Sequence, residues 1–385
     1  MTKFTSTILI KIIFNFAFYL FYLFPINKTK VSFASYRNKD IQGNLLFLYN
    51  EAKNKYPNHN YVFLFKKMPT GKINRLLYIF HLFRVSYHIS TSKYFFIDDY
   101  YLPLYLIKPK KNTEFIQVWH GAGAFKTFGY STINKKFGPS PEYLKHIKIH
   151  SNYTQVIVST REVIPYYAEA FNINSEKILP LGLPRTDFFS DSTNKHNILK
   201  RRFLSSKRVN LEKKKVILFA PTYRGNGHND MQDVLSLDYK KLLANLNDDY
   251  IIIINLHPYV IRKTQIDPDL SKSVFLNDNE FSIEELLLIA DILLTDYSSI
   301  IFDYSLLSRP IGFFAPDLEQ YEADRGFYFD YNSFVPGPVF QNTEQIISWI
   351  NTGEFDVNAV KKFSEKYLGV CDGKVSERVI SEIFI

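Results

Sequence analysis

One rhythm constrains this chain more than any other feature: short apolar runs alternate with stretches of helical periodicity over nearly its whole length. The runs Val31–Ser35, Tyr61–Lys66, Tyr94–Asp98, Thr113–Trp119 and Gln155–Ser159 read as strands, with helices over Gly43–Tyr56 and Ile164–Phe171. A second series follows at Val216–Ala220, Tyr250–Asn255, Ser273–Phe275, Ile292–Thr295 and Pro310–Phe314, with a helix over Ile300–Ser308. Apolar strands separated by helices point to parallel βαβ construction, because a parallel sheet is covered on both faces. At 385 residues the chain suits two such domains.

Between the two series the composition turns to a polar, strongly basic helix and loop, STNKHNILKRRFLSSKRVNLEKKK, expected to be a solvated linker surface with the domain boundary near residues 190 to 214. The expected fold class is therefore α/β, with two Rossmann-like doubly wound domains facing a cleft. The expected division is an apolar segment over 1–30, a first domain over 31–200 and a second over 201–385.

The apolar segment Ile8–Phe24 is interrupted by Lys11 and Asn15 and is short for a spanning helix. No small-residue cleavage site follows it; Pro25 and a polar stretch come instead. A helix docking in the membrane interface is the favoured reading, ahead of a buried first helix and of a true anchor. Asn74–Ile89 mixes Arg75 and Arg84 with large apolar residues at helical spacing. It reads as a core helix of the first domain or as an in-plane amphipathic helix, and both hold if one face is buried.

A net charge of +9 biases the chain toward anionic partners. No zinc-finger spacing, RNP-type aromatic signature or continuous basic recognition helix appears, so nucleic acid is not expected. Phosphorylated substrates and an anionic membrane surface remain. The single cysteine, Cys371, excludes a disulfide framework and a cysteine-rich metal site. No acidic cluster has metal-ligand spacing, and neither a metal nor a cofactor is expected.

Ligands of open α/β sheets sit beyond the carboxyl ends of the strands, so the loops there carry the chemistry. His120 follows one strand in Trp119-His120-Gly121-Ala122-Gly123, where glycine lets backbone approach a ligand and the imidazole can take a proton near neutrality. A histidine satisfied within a domain interface is the bland alternative. Thr222 and Arg224 open the second domain in APTYRG and offer a phosphate contact, or merely a turn with a surface arginine. His257 follows the strand YIIIIN, and Pro258 ends that strand. Thr295, Asp296, Ser298 and Ser299 precede a helix whose amide end favours phosphate, although capping alone would explain part of the pattern. Arg325, before Gly326, is either a pyrophosphate contact or a surface arginine in a turn.

Taken together, VWHGAGAFKTFG, LGLPRTDFF, ILFAPTYRG, NLHPY, ADILLTDYSSIIFDYSLLSRPIGFFAPDLEQY and RGFYFDY with PGP closely resemble the CDP-glycerol glycerophosphotransferase family of teichoic acid synthesis. The resemblance runs in family order from about residue 115 to 340. It implies a GT-B-like fold, with an acceptor-binding first domain and a CDP-donor-binding second domain. It implies His120 as the base and His257 as a second catalytic histidine. Gly121, Arg185, Thr222, Arg224, Thr295, Ser298, Ser299 and Arg325 fall on binding motifs; Asp296 is expected to hold its loop and Arg185 to support the cleft. Many members carry a Thr-Pro pair after WHG where this chain has Ala122-Gly123-Ala124, which looks closer to primases.

The implied reaction moves glycerol phosphate from CDP-glycerol to a lipid-linked acceptor, an undecaprenyl-diphosphate disaccharide, releasing CMP at the cytoplasmic face of the membrane. CDP-ribitol as donor, a polymerase, and a capsule transferase are open alternatives. A nucleotide-sugar glycosyltransferase on the same fold is a rival of another class.

Overall fold

A computed structural model describes residues 3–67, 72–133, 135–136, 138–207, 214–224, 237–256 and 266–384. Their contacts divide the chain into two units. The first comprises Met1–Asp187, Asp324–Gly326 and Val370–Ile385; the second comprises Phe188–Ala323 and Phe327–Gly369.

The first unit is built on a six-stranded parallel sheet of β1 (Asn27–Ser35), β2 (Asn60–Phe65), β3 (Ser92–Ile97), β4 (Glu114–Gln117), β5 (Gln155–Ile157) and β6 (Ile178–Leu179). Its spatial order is β2-β1-β3-β4-β5-β6. The order reverses between β1 and β3, so the crevice at their carboxyl ends is the place where a ligand of such a sheet binds. Val31, Phe33, Phe96, Ile116 and Ile157 are fully buried on this sheet beneath Leu45, Leu48 and Ala52 of α2 (Gly43–Lys55). Each such side chain contributes about 1.5–3 kcal/mol through burial.

The second unit has an equivalent parallel sheet of β7 (Lys215–Phe219), β8 (Tyr250–Ile254), β9 (Val274–Leu276), β10 (Ile292–Thr295), β11 (Ile311–Phe314) and β12 (Val339–Phe340). Its order is β12-β11-β10-β7-β8-β9, with the reversal between β7 and β10. All five residues of β8 are buried, which accounts for the unbroken isoleucine run. The α/β class and the two doubly wound sheets thus agree with the sequence reading. Two short strands, β6 and β12, had no sequence signal, because pairs of apolar residues lie below the length at which alternation is visible.

The division differs from the expected one in two respects. The basic run does carry a helix, Ser192–Ser206, but that helix already belongs to the second unit, which begins at Phe188; Phe203 and Leu204 are buried and Lys200 pairs with Asp291 at 2.6 Å. The chain end, assigned by the sequence reading to the second domain, returns to the first unit. There Val375, Val379 and Ile380 of the helix Val375–Ile383 enter the core.

The apolar N-terminus forms α1 (Lys3–Phe21), which packs on α3 (Lys72–Thr91). Phe14, Ala17 and Phe18 are buried. Asn15 is not a flaw in the apolar run, since its amide donates to the carbonyls of Lys11 and Leu106 at 2.8 and 2.7 Å. The opposite face is open: Ile12, Phe16, Tyr19, Leu20 and Leu23 are exposed, as is Phe80 of α3. Among the described residues no helix is long and apolar enough to cross a membrane.

Candidate active site

At the carboxyl end of β4 the backbone leaves the strand abruptly. Trp119 has φ +43°, a left-handed conformation that costs a bulky residue of order 1–3 kcal/mol. Several bonds over-determine it. The Trp119 amide donates to Gln117 Oε1 at 2.8 Å, and Asn44 Nδ2 at the start of α2 donates to the Trp119 carbonyl at 2.9 Å. Asn44 Oδ1 in turn accepts the Arg185 amide at 3.0 Å, and Arg185 Nη1 donates to the His120 carbonyl at 2.7 Å. Tyr167 donates its hydroxyl proton to the Gly121 carbonyl at 2.9 Å. Arg185, expected at a cleft between domains, is buried and grips the loop that carries His120.

Glycine is required nearby at Gly129, which has φ +56° and where a Cβ would lie 2.1 Å from the Ala170 carbonyl oxygen. At Gly121 a Cβ would meet nothing closer than 3.5 Å, so the fold itself does not demand glycine there.

His120 is thrown outward by this turn, and 39% of its side chain is accessible. Its Nδ1 is nevertheless shut off from solvent and has no hydrogen-bond partner. Burial of the ring's inner side pushes its pKa well below the ordinary imidazole value, and the Arg37 and Arg185 guanidiniums add to this. Solvent at the exposed edge screens part of that depression. The imidazole is consequently neutral near pH 7, as a proton acceptor must be. Sequence reasoning missed the residues around it: Arg37 after β1, Asn44, and the Asp98-Asp99 pair after β3. The strand-end rule that selected His120 applies equally to those carboxylates.

In the second unit the reversal between β7 and β10 brings two predicted motifs together. The Thr222 amide donates to Asp296 at 2.8 Å, and the Arg224 Nη1 reaches the same carboxylate at 2.7 Å. Arg224 also clasps Asp317 through Nε and Nη2 at 2.5 and 2.9 Å, and lies 5.2 Å from the Tyr297 ring centre. Its guanidinium is therefore buried and committed to two carboxylates. In this arrangement it braces the loop instead of offering itself to a phosphate. Thr295 is likewise fully buried, with its hydroxyl donating to the Ala220 carbonyl at 2.7 Å. Asp296 holds the loop, as expected. Asp317 and Tyr297, whose hydroxyl donates to Asp317 at 2.8 Å, complete a brace that the sequence reading did not contain.

Ser298 and Ser299 are partly exposed at the start of the helix Ile300–Ser305, which is shorter than expected. Ser299 occupies the N-cap position, yet its side chain makes no capping bond; Ser298 Oγ accepts the Ile300 amide at 3.4 Å. These two hydroxyls, unlike Thr295 and Arg224, are open to a ligand. Thr222 Oγ1 is enclosed without a hydrogen-bond partner. Arg325 ends the helix Leu318–Arg325, and its carbonyl accepts the Thr127 hydroxyl at 2.7 Å within the first unit. His257, the second histidine of the expected pair, lies outside the described residues, as does Pro258. Among the described residues no group of three or more His, Cys, Asp or Glu side chains is placed to hold a metal ion.

Comparison with known proteins adds to this geometry. Residues 16–385 match the model of the CDP-glycerol:poly(glycerophosphate) glycerophosphotransferase family. The chain is 42% identical over 359 residues to a teichoic acid ribitol-phosphate primase of Bacillus spizizenii, covering 93% of this chain and 91% of that protein. It is 31% identical to a teichoic acid glycerol-phosphate primase of Bacillus subtilis, over 79% of this chain and 76% of that one. A poly(ribitol-phosphate) polymerase of Bacillus spizizenii is 40% identical, but the match spans 58% of its length. Among solved structures, the wall teichoic acid polymerase TagF superposes with a TM-score of 0.77 at 23% identity, covering 99% of this chain and 96% of the other; that likeness is one of fold.

Proposed function

Because this chain belongs to the CDP-glycerol:poly(glycerophosphate) glycerophosphotransferase family, we propose that it transfers a polyol phosphate from a CDP-activated donor onto a lipid-linked teichoic acid precursor, with ribitol phosphate as the group transferred. The observation that carries the choice is the 42% identity, across nine-tenths of both chains, to a ribitol-phosphate primase. The sequence motifs alone had favoured glycerol phosphate, which the lower identity to the glycerol-phosphate primase supports less strongly.

In this reading an acceptor hydroxyl attacks the phosphorus bearing the polyol, the bond to the CMP phosphate breaks, and CMP leaves. His120 Nε2 takes the hydroxyl proton, a contribution of roughly 100- to 10,000-fold. The β7–β10 crevice of the second unit receives the CDP portion, with the Ser298 and Ser299 hydroxyls and neighbouring amides offered to the diphosphate. The first unit receives the acceptor. Its lipid lies at a bilayer surface, and the exposed face of α1 supplies the means to dock there: that helix contains no acidic residue. Lys110 sits 4.8 Å from the Tyr22 ring centre, between the exposed Lys108 and Lys111, so cations rim the apolar face toward anionic headgroups.

The test is CMP release from CDP-ribitol and CDP-glycerol, each with a short-chain polyprenyl-diphosphate disaccharide or its glycerol-phosphate-extended form. Turnover with CDP-ribitol, lost in His120→Ala while donor still binds, is the expected result. Turnover with UDP-sugars and with neither CDP-polyol would establish the glycosyltransferase reading instead.

A further inference from the structure

The order reversal of the first sheet places two charged side chains beside one imidazole. Arg37 follows β1, Asp99 follows β3 and His120 follows β4. The Asp99 carboxylate is fixed on several sides. Oδ1 accepts the Tyr100 amide at 2.6 Å, Oδ2 lies 3.2 Å from Arg37 Nη1, and the Asp99 carbonyl accepts Gln117 Nε2 at 2.9 Å. His120 Nδ1 lies 3.8 Å from Oδ2 of this carboxylate and makes no hydrogen bond. His150 in the same unit shows what a structural histidine looks like. It is fully buried, bonded through Nδ1 to the Tyr153 hydroxyl at 3.0 Å and stacked on Phe171 with ring centres 4.3 Å apart. Among the described histidines, only His120 combines an open ring edge with an unbonded inner nitrogen within 4 Å of a carboxylate.

We propose that Asp99 is the positioning residue for His120: its Oδ2 accepts the Nδ1 proton as the acceptor binds, leaving the Nε2 lone pair facing outward. This rests on the reading of His120 as the base. A neutral imidazole has one N–H and one lone pair. A lone pair on a buried Nδ1 beside a carboxylate would repel it, so the proton belongs on Nδ1 and basicity on Nε2. The separation of 3.8 Å is too long for a hydrogen bond. Such contacts are commonly long before substrate arrives, and closing this one needs a ring movement of about 1 Å. Arg37, Arg185 and Lys126 oppose an imidazolium here, while the Asp98 carbonyl favours it. The charge that develops when Nε2 takes the acceptor proton thus needs a compensating anion, and Asp99 is the carboxylate within reach. Asp99 stays ionised throughout. The proton remains on Nε2 until it passes to solvent after CMP departs.

The experiment begins on the unaltered full chain. Histidine 15N shifts are recorded against pH, with the His120 signals assigned by their loss in His120→Gln. The expected neutral form carries its proton on Nδ1; a proton on Nε2 overturns the proposal. In Asp99→Asn the titration midpoint of His120 should move to lower pH by roughly half a unit or more, since a stabilising negative charge is gone. kcat should fall about 10- to 100-fold with KM changed less than about twofold, and Asp99→Glu should recover part of the loss. An unchanged midpoint together with unchanged kcat in Asp99→Asn overturns the proposal. Should that variant not fold, the tautomer of the unaltered protein decides. The spectra need no donor, so a correct tautomer in a chain whose His120→Gln variant keeps full activity sinks the base assignment and leaves the positioning intact.

Discussion

The carboxylate of Asp296, just past β10, accepts the amide of Thr222, just past β7, at 2.8 Å. That bond ties together the two strand ends between which the order of the second sheet reverses. It lets one anion organise both loops of the crevice. The same carboxylate accepts the Tyr297 amide at 2.5 Å and holds Arg224, so its oxygens are fully used. The diphosphate proposed for this crevice would ordinarily be repelled by a carboxylate. Here Asp296 has no solvent exposure and is covered by Arg224, which neutralises it.

Asp296→Ala should therefore destabilise the second unit by about 3 kcal/mol or more, the cost of leaving the buried Arg224 short of a partner. Arg224→Lys should not rescue function, because an ammonium cannot span Asp296 and Asp317 together. Urea denaturation of both variants measures the first effect and CMP release the second. Asp317 adds a pH dependence. Burial pushes its carboxyl up, but the bonds from Arg224 and Tyr297 outweigh this and hold it below the ordinary carboxylate value. Its contribution is present above the unfolded pKa and is lost as pH falls through the folded one. The urea midpoints of wild type and Asp317→Asn should accordingly converge in strong acid.

Buried neutral histidines give the first unit a second pH dependence. Burial pushes His150 down to about 3. It pushes His81 down to about 4, with Lys66 and Arg84 adding to the effect. Below the unfolded value near 6.5 the unfolded chain binds protons that the folded chain refuses. Stability should fall steadily from pH 6.5 to 4, with each histidine responsible for up to about 3 kcal/mol at the lower limit. Replacing His150 with Asn should flatten that slope while lowering stability at pH 7, because the bond to Tyr153 is disturbed. A slope unchanged in this variant would show that His150 titrates normally.

The turn at Trp119 predicts a coupling between stability and activity. Asn44 satisfies the Trp119 carbonyl and the Arg185 amide together, so Asn44→Ala leaves two buried polar groups unpaired at a strained residue. The expected loss is about 2–4 kcal/mol, and His120 should lose its fixed orientation with it. Gly121→Ala is the contrasting variant: the space is free, so stability should be unchanged. A drop in turnover there would mean that a ligand approaches the Gly121 backbone. Thermal unfolding and CMP release, run on both variants, separate the two effects.

The strands, the sheet class and the loops at the strand ends were legible because each leaves a local signature. Tyr250–Ile254 is an unbroken apolar run, and His120 comes shortly after the strand Glu114–Gln117. What the residues do inside those loops was not legible, since that depends on which strand ends become neighbours. Arg224 in APTYRG has the look of a phosphate ligand until β10 is placed beside β7, bringing Asp296 within 2.7 Å. Thr295 is similar in kind: its hydroxyl is spent on Ala220, 75 residues earlier in the chain. Asp99 was hidden for the converse reason. Read alone it merely closes an apolar strand, and its relation to His120 exists only across the pairing of β3 with β4. The return of the chain end to the first core was likewise invisible, because Val375, Val379 and Ile380 have the spacing of any amphipathic helix.

The open face of α1 yields a prediction independent of the chemistry. Leu23 is 85% exposed, Phe16 69% and Phe80 72%, which is costly in water for side chains of this size and useful only against an apolar phase. The inner face is occupied by the contacts of Phe14 and Phe18, so substitutions on the outer face should leave folding alone. Phe16→Asp combined with Leu23→Asp should abolish sedimentation with phosphatidylglycerol vesicles while the thermal unfolding midpoint stays within a degree or two of wild type. Lys108→Glu with Lys111→Glu should weaken the same binding by roughly 1 kcal/mol per residue at low salt, and less as salt rises. Turnover of a water-soluble acceptor should survive both pairs of changes, whereas turnover of a vesicle-borne acceptor should fall with binding. Undiminished sedimentation of the Phe16 and Leu23 double variant would show that the apolar face meets something other than lipid.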